Sequence, residues 1–191
     1  MLSRFALLLT VGLVLIPASA RADAPTWKAG VAVRCVTPEA PMWMAGYAGR
    51  NRPAEGKEMD LYVKALALED PAGQRGVLLT ADLIGISRSL AENVSADVKK
   101  QLGLNRDQLM FSISHTHCGP VISDNLSDMY PMSEEEARKV PLYPARLRKW
   151  MVEAIVEAVK NLQPAQLAVG KGTARFAVNR RKITPMGVQN S

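Results

Sequence analysis

A chain of 191 residues with 48% hydrophobic side chains is long enough for one domain with a real core. Its formal net charge is +6. The cations are scattered and no aromatic-rich basic face accompanies them, which argues against nucleic-acid binding and leaves a solvated surface or an attraction to anionic membrane surfaces. There is no fixed-period repeat and no low-complexity tract, which excludes solenoids and fibrous arrays.

The first segment has three parts. Arg4 is a small positive head, Phe5 to Ile16 is an almost unbroken apolar run, and small residues follow at Ala18-Ser19-Ala20 and Ala22-Asp23-Ala24. This is the layout of a secretory signal peptide. A run of about a dozen residues is short of the roughly 20 that span a bilayer, so a signal is expected over an uncleaved anchor. The expected division is residues 1–24 as signal and 25–191 as the mature domain, with export to a periplasmic or extracellular space. Two cysteines, Cys35 and Cys118, either pair there or remain separate thiols.

Ala29 to Val36 alternates and is rich in β-branched residues, which predicts a strand. After Thr37-Pro38 and Pro41, the stretch Met42-Trp43-Met44-Ala45-Gly46-Tyr47-Ala48-Gly49-Arg50 reads as a tight loop whose backbone approaches something closely. Leu61 to Glu69 alternates like a strand with one wet face. Asp70-Pro71-Ala72-Gly73 is a turn. Gly76 to Leu83 is nearly continuously apolar and suits a central strand buried on both faces.

Ser87 to Leu102 predicts a helix with Leu90, Val94, Val98 and Leu102 on one stripe. Ser87 or Ser89 is its cap and Gly103 its stop. Leu109 to Ser114 is another short strand, giving a βαβ unit. A loop with several prolines follows, in which Ser133-Glu134-Glu135-Glu136 starts a short helix. Arg146 to Leu162 carries the best helical stripe, ended by Pro164, and Gln166 to Val178 reads as one or two more strands. The expected fold is α/β: a mixed sheet with a βαβ core and layered helices, forming an incomplete domain with exposed apolar edges.

The only two histidines stand two apart in Ser114-His115-Thr116-His117-Cys118-Gly119-Pro120, where a strand runs out into a Gly-Pro loop. Ligands bind outside the carboxyl ends of strands in α/β sheets. On a strand both imidazoles would share one face; in a turn one would go to a metal and one to substrate. Imidazole serves as zinc ligand and as proton carrier near neutral pH. Two ligands do not complete a catalytic zinc site, and Cys118, Asp82, Asp124 and Asp128 are possible additions that no spacing demands. Asp82 either orients a histidine or caps the following helix. There is no Gly-x-Ser-x-Gly elbow for a serine nucleophile.

Several strings occur in an order that resembles the neutral/alkaline, non-lysosomal ceramidase family. They are Gly30-Val31-Ala32 with Thr37-Pro38, Met44-Ala45-Gly46-Tyr47, Thr80-Ala81-Asp82-Leu83, the His115–Pro120 string, and Asn179-Arg180-Arg181. The resemblance runs from about Gly30 to Arg181. It implies an exported hydrolase that cleaves the amide of ceramide with one zinc ion. It implies His115 as zinc ligand, His117 as the catalytic residue beside the metal, and Arg180 as the arginine near the site.

Two positions depart from the family pattern, Cys118 where serine is usual and Val121 where glycine is usual. The resemblance further implies that another histidine, a glutamate and a tyrosine complete the zinc shell from further along. The expectation is therefore the front part of a catalytic domain, inactive alone, with a lipid amide as partner. An exported lipid- or protein-binding module without catalysis is the alternative, motivated by the charge and by Met42, Trp43 and Met44.

Overall fold

The computed structural model describes residues 26–190 apart from 124 and 126. The predicted signal segment, and Asp124 among the possible metal ligands, lie outside the described residues.

Strand β1 is Trp27–Cys35, β2 Tyr62–Glu69 and β3 Arg75–Ala81; helix α1 is Arg88–Leu102 and strand β4 Leu109–Ile113. Helix α2 spans Glu134–Lys139 and α3 Leu142–Lys160; the strands β5 (Gln163–Ala165), β6 (Arg181–Thr184) and β7 (Gly187–Asn190) follow. One five-stranded sheet has the order β4-β3-β2-β1-β5. Only β3 and β4 are parallel, and α1 connects them as the expected βαβ unit.

The caps explain where the helices begin and end. The Ser87 hydroxyl accepts from the Leu90 amide at 3.2 Å, and Gly103 closes α1 in the left-handed conformation. Ser133 caps α2 in the same way as Ser87 caps α1.

The α1 stripe (Leu90, Val94, Val98) and the α3 stripe (Leu147, Met151, Ile155, Ala158) share one core with Ala32, Val63, Ala65 and Leu79 of the sheet. Arg148 on α3 grips both carboxylate oxygens of Asp97 on α1, at 2.6 and 2.7 Å. Contact between α3 and β1 is close enough to require glycine at position 30. A Cβ there would stand 2.1 Å from the Ala158 carbonyl oxygen.

The helices cover one face only. On the other, the pairing register lines Val31, Leu66, Leu78 and Met110 across four strands. Val31 is 62% and Met110 65% exposed. The expectation that β3 is buried on both faces is thus corrected: Val77, Leu79 and Ala81 are buried, while Gly76, Leu78 and Thr80 are only partly covered.

Three further expectations change. Helix α3 starts earlier than expected and ends at Lys160, and Pro164 falls inside β5, not at the helix stop. Residues 166–178 are irregular and exposed, not strands. Their alternation finds no strand to pair with, and an isolated strand leaves its backbone groups unmatched. The β6–β7 pair forms a separate two-stranded sheet.

Candidate functional site

The site is built where β3 and β4 end side by side. The Ser114 amide still donates to the Ala81 carbonyl at 3.1 Å, and the chain then turns sharply. His115 makes the turn with φ of 55°, in the left-handed region that non-glycine residues rarely occupy. Neither histidine is on the strand. The turn nevertheless brings the two rings together, their centroids 5.2 Å apart and their planes at 77°.

The two imidazoles have different surroundings. His115 is exposed, and its Nδ1 lies 2.7 Å from the Ile84 carbonyl oxygen, which can only accept. Nδ1 therefore carries the proton and the lone pair is on Nε2. His117 is half-buried, and its Nδ1 is buried with no hydrogen-bond partner. Its ring and the Tyr47 ring pack in a T shape, with centroids 4.8 Å apart and planes at 68°.

The loop of residues 42–50 forms the second wall. It runs antiparallel to the chain after His117: the Ala45 amide donates to the Gly119 carbonyl and the Val121 amide to the Trp43 carbonyl, both at 2.8 Å. Gly46 has φ of 109°, and a Cβ there would stand 2.4 Å from Cγ of His117. The sequence reading of a backbone that approaches something closely finds its object in this ring. The Gly46 amide donates to the Tyr130 hydroxyl at 2.6 Å. Arg50 donates to the carbonyls of Ala45 and His117, the latter at 2.7 Å, and its guanidinium stacks 5.1 Å from the Tyr47 ring centre.

The remaining candidates separate. Asp82 neither orients a histidine nor caps α1; its Oδ2 accepts from the Tyr62 amide at 2.9 Å and holds the start of β2. Asp128 is exposed in a short 3-10 turn, Ser127–Met129. Cys35 and Cys118 are both free and exposed. Arg180 is exposed immediately before β6, in the segment leading to the separate hairpin. Among the described residues, no group of three His, Cys, Asp or Glu side chains is placed to hold a metal. Tyr47, Arg50 and Tyr130 were not singled out from the sequence. The signal available for the first two was their place in the loop that carries the shared Met44–Tyr47 string.

Of Met42, Trp43 and Met44, the basis of an apolar binding loop, the first two are buried at 8% and 4% exposure and Met44 is half-buried. Met42 and Trp43 pack inward and offer little to a partner. A surface cleft of about 720 Å³ lies between α1 and α3 and is lined by ion-paired residues including Arg34, Asp97, Arg148 and Glu157. It does not include the histidines.

A βαβ-centred mixed sheet with an imidazole pair beyond the carboxyl ends of its parallel strands defines an α/β domain with a histidine corner at the end of the sheet where such folds bind ligands. The chain belongs to the neutral/alkaline non-lysosomal ceramidase family, whose N-terminal part matches residues 27–184. It is 29% identical over 186 residues to neutral ceramidase of Pseudomonas aeruginosa, covering 93% of this chain and 27% of that protein. It is 28% identical over 188 residues to neutral ceramidase of Oryza sativa subsp. japonica, covering 93% and 23%.

The crystal structure of the Pseudomonas aeruginosa neutral ceramidase superimposes with a TM-score of 0.62 at 25% identity, over 74% of this chain and 23% of that one. A ceramidase complexed with C2 gives 0.61 at 26% identity, over 73% and 22%. The chain spans about a quarter of the length of these relatives.

Proposed function

We propose that the chain contributes the His115–His117 corner to a zinc-dependent amide hydrolase acting on a ceramide-like lipid amide, releasing sphingosine and a fatty acid. The observation that carries this reading is the His115 tautomer. Histidines that ligate metals commonly donate the other ring N–H to a carbonyl or carboxylate, which orients the ring and raises its basicity. The Ile84 carbonyl plays that part for His115 and leaves the lone pair on Nε2.

The donor set fits zinc in part. His115 is a suitable ligand, and the rest of the shell would come from polypeptide outside the described residues. Bound there, zinc would supply Lewis acidity toward the amide carbonyl and lower the pKa of a bound water. His117, its ring at 77° to that of His115, is in this reading the group that hydrogen-bonds the substrate and takes or gives a proton. Arg180, which the family resemblance assigns to the site, would have to reach it from the segment before β6. Export by the N-terminal segment and contact with a membrane surface belong to the same reading, because the substrate class is a lipid.

The test is made on the native protein recovered from the exported fraction, with its intact mass measured. Hydrolysis of a long-chain N-acylsphingosine that disappears on chelation and returns with zinc is expected. A zinc-loaded native protein that releases no fatty acid overturns the reading. The 191-residue chain produced alone is expected to bind zinc weakly and to hydrolyse nothing.

A further inference from the structure

We propose that Arg50 is the positioning residue for His117, acting from a different loop through two carbonyls and one aromatic ring. The inference rests on the reading that His117 belongs to the reacting site, and its geometry stands independently of that reading. One guanidinium arm donates to the Ala45 carbonyl in the 42–50 loop. The other donates to the carbonyl of His117 itself at 2.7 Å. Arg50 therefore bridges both walls of the site and fixes the backbone from which the imidazole hangs.

The same guanidinium covers the Tyr47 ring at 5.1 Å, and Tyr47 in turn packs in a T shape against the His117 ring, centroids 4.8 Å apart. Gly46 closes the third side, with no room for a Cβ against Cγ of His117. Anchored at its carbonyl and hemmed by Tyr47 and Gly46, the imidazole is held at its observed tilt to His115. No hydrogen bond to Nδ1 contributes, since that atom has no partner.

The contact is specific to arginine. A planar fork can reach two carbonyls and stack at the same time, whereas a lysine ammonium is a single point charge that gives up at least one of the three contacts. Misplacing a reacting group by about 1 Å can cost on the order of a hundredfold in rate.

The test uses the full chain and the fact that it has only two histidines. Proton NMR at one fixed pH should show a cross-relaxation contact between the Tyr47 and His117 rings and two well-dispersed imidazole spin systems. In Arg50→Lys the contact with Tyr47 is expected to vanish and the His117 signals to move, with those of His115 changing far less. Tyr47→Leu, at an exposed position, should move the His117 signals alone while the Arg50 bridge persists.

Unchanged His117 signals in both variants overturn the proposal. So do equal shifts of both histidines in Arg50→Lys, which would mark Arg50 as a general staple of the fold. In the hydrolytically active native protein, Arg50→Lys should lower kcat on the order of tenfold or more with KM nearly constant. If that protein hydrolyses nothing, the proposed function fails, while the NMR result still decides the role of Arg50.

Discussion

Nδ1 of His115 lies 2.7 Å from the carbonyl oxygen of Ile84, and this contact joins the turn after β4 to the turn after β3. Because a carbonyl only accepts, neutral His115 must be protonated on Nδ1. Nitrogen-15 NMR is expected to show neutral His115 as the Nδ1–H tautomer. In the native protein, where the rest of the metal shell would be supplied, cobalt in place of zinc should produce a ligand-field spectrum that is lost in His115→Ala and retained in His117→Ala. Loss in His117→Ala with retention in His115→Ala would reverse the assignment.

Gly46 is the tightest point of the site. Its φ of 109° and the 2.4 Å approach of a notional Cβ to Cγ of His117 both penalise a side chain. Gly46→Ala should destabilise the domain by about 1–3 kcal/mol, the range for backbone strain of this kind. It should also displace the His117 ring, since the obstacle includes the Cα of His117 at 2.8 Å. Denaturant unfolding measures the first effect and imidazole chemical shifts the second. Wild-type stability and unchanged His117 signals would show that the loops are further apart than described.

Much of this arrangement was legible from local signals. Ser87, the Leu90–Val94–Val98 stripe and Gly103 mark α1 because caps and helical period are local properties. The histidine string marked a strand end but left open whether the two rings share a strand face or leave it in a turn. Arg50 and Tyr130 were not legible as site residues, because their partners stand 67 and 84 positions away along the chain. The alternation after Gln166 misled for a related reason. Period two reports a half-buried strand only where a neighbouring strand supplies hydrogen bonds, and residues 166–178 have none. The β3 run misled because continuous apolarity shows that both faces avoid water, without showing that both are covered.

Asp97 ties α1 to α3, and the Arg148 guanidinium bonded to both its oxygens holds its carboxyl below the usual range. A carboxyl with a lowered folded pKa contributes stability above its unfolded pKa, about 3.9, and loses it as pH falls through the folded value. Both side chains are about a third exposed, so the pair should contribute no more than roughly 1 kcal/mol at neutral pH. Asp97→Asn should therefore be slightly less stable than wild type at pH 7, with the gap closing below about pH 4. A gap that widens in acid would contradict the sign.

Tyr143 of α3 is buried, and its hydroxyl donates to the Val36 carbonyl just beyond β1. Burial pushes the phenol above the usual tyrosine range, so it should stay protonated when exposed tyrosines ionise. An alkaline absorbance titration of Tyr143→Phe should therefore match that of the wild type over the range where exposed tyrosines ionise, because the phenol removed does not titrate there. Tyr143→Phe leaves the carbonyl without its donor and should cost about 1–3 kcal/mol in denaturant unfolding. A neutral result would mean that water reaches the Val36 carbonyl.

The uncovered sheet face should govern the behaviour of the chain in solution. Val31 and Met110 are well exposed at the two ends of an apolar row whose middle, Leu66 and Leu78, is partly covered. Contiguous apolar surface of this kind associates with itself or with any apolar partner. The chain alone is expected to self-associate with rising concentration and to bind a hydrophobic dye. Val31→Thr combined with Met110→Lys should suppress both effects, because the substitutions remove apolar surface. Folding stability should change by less than about 0.5 kcal/mol, as at other exposed positions. Light scattering that is equal for the two proteins would show that association uses another surface.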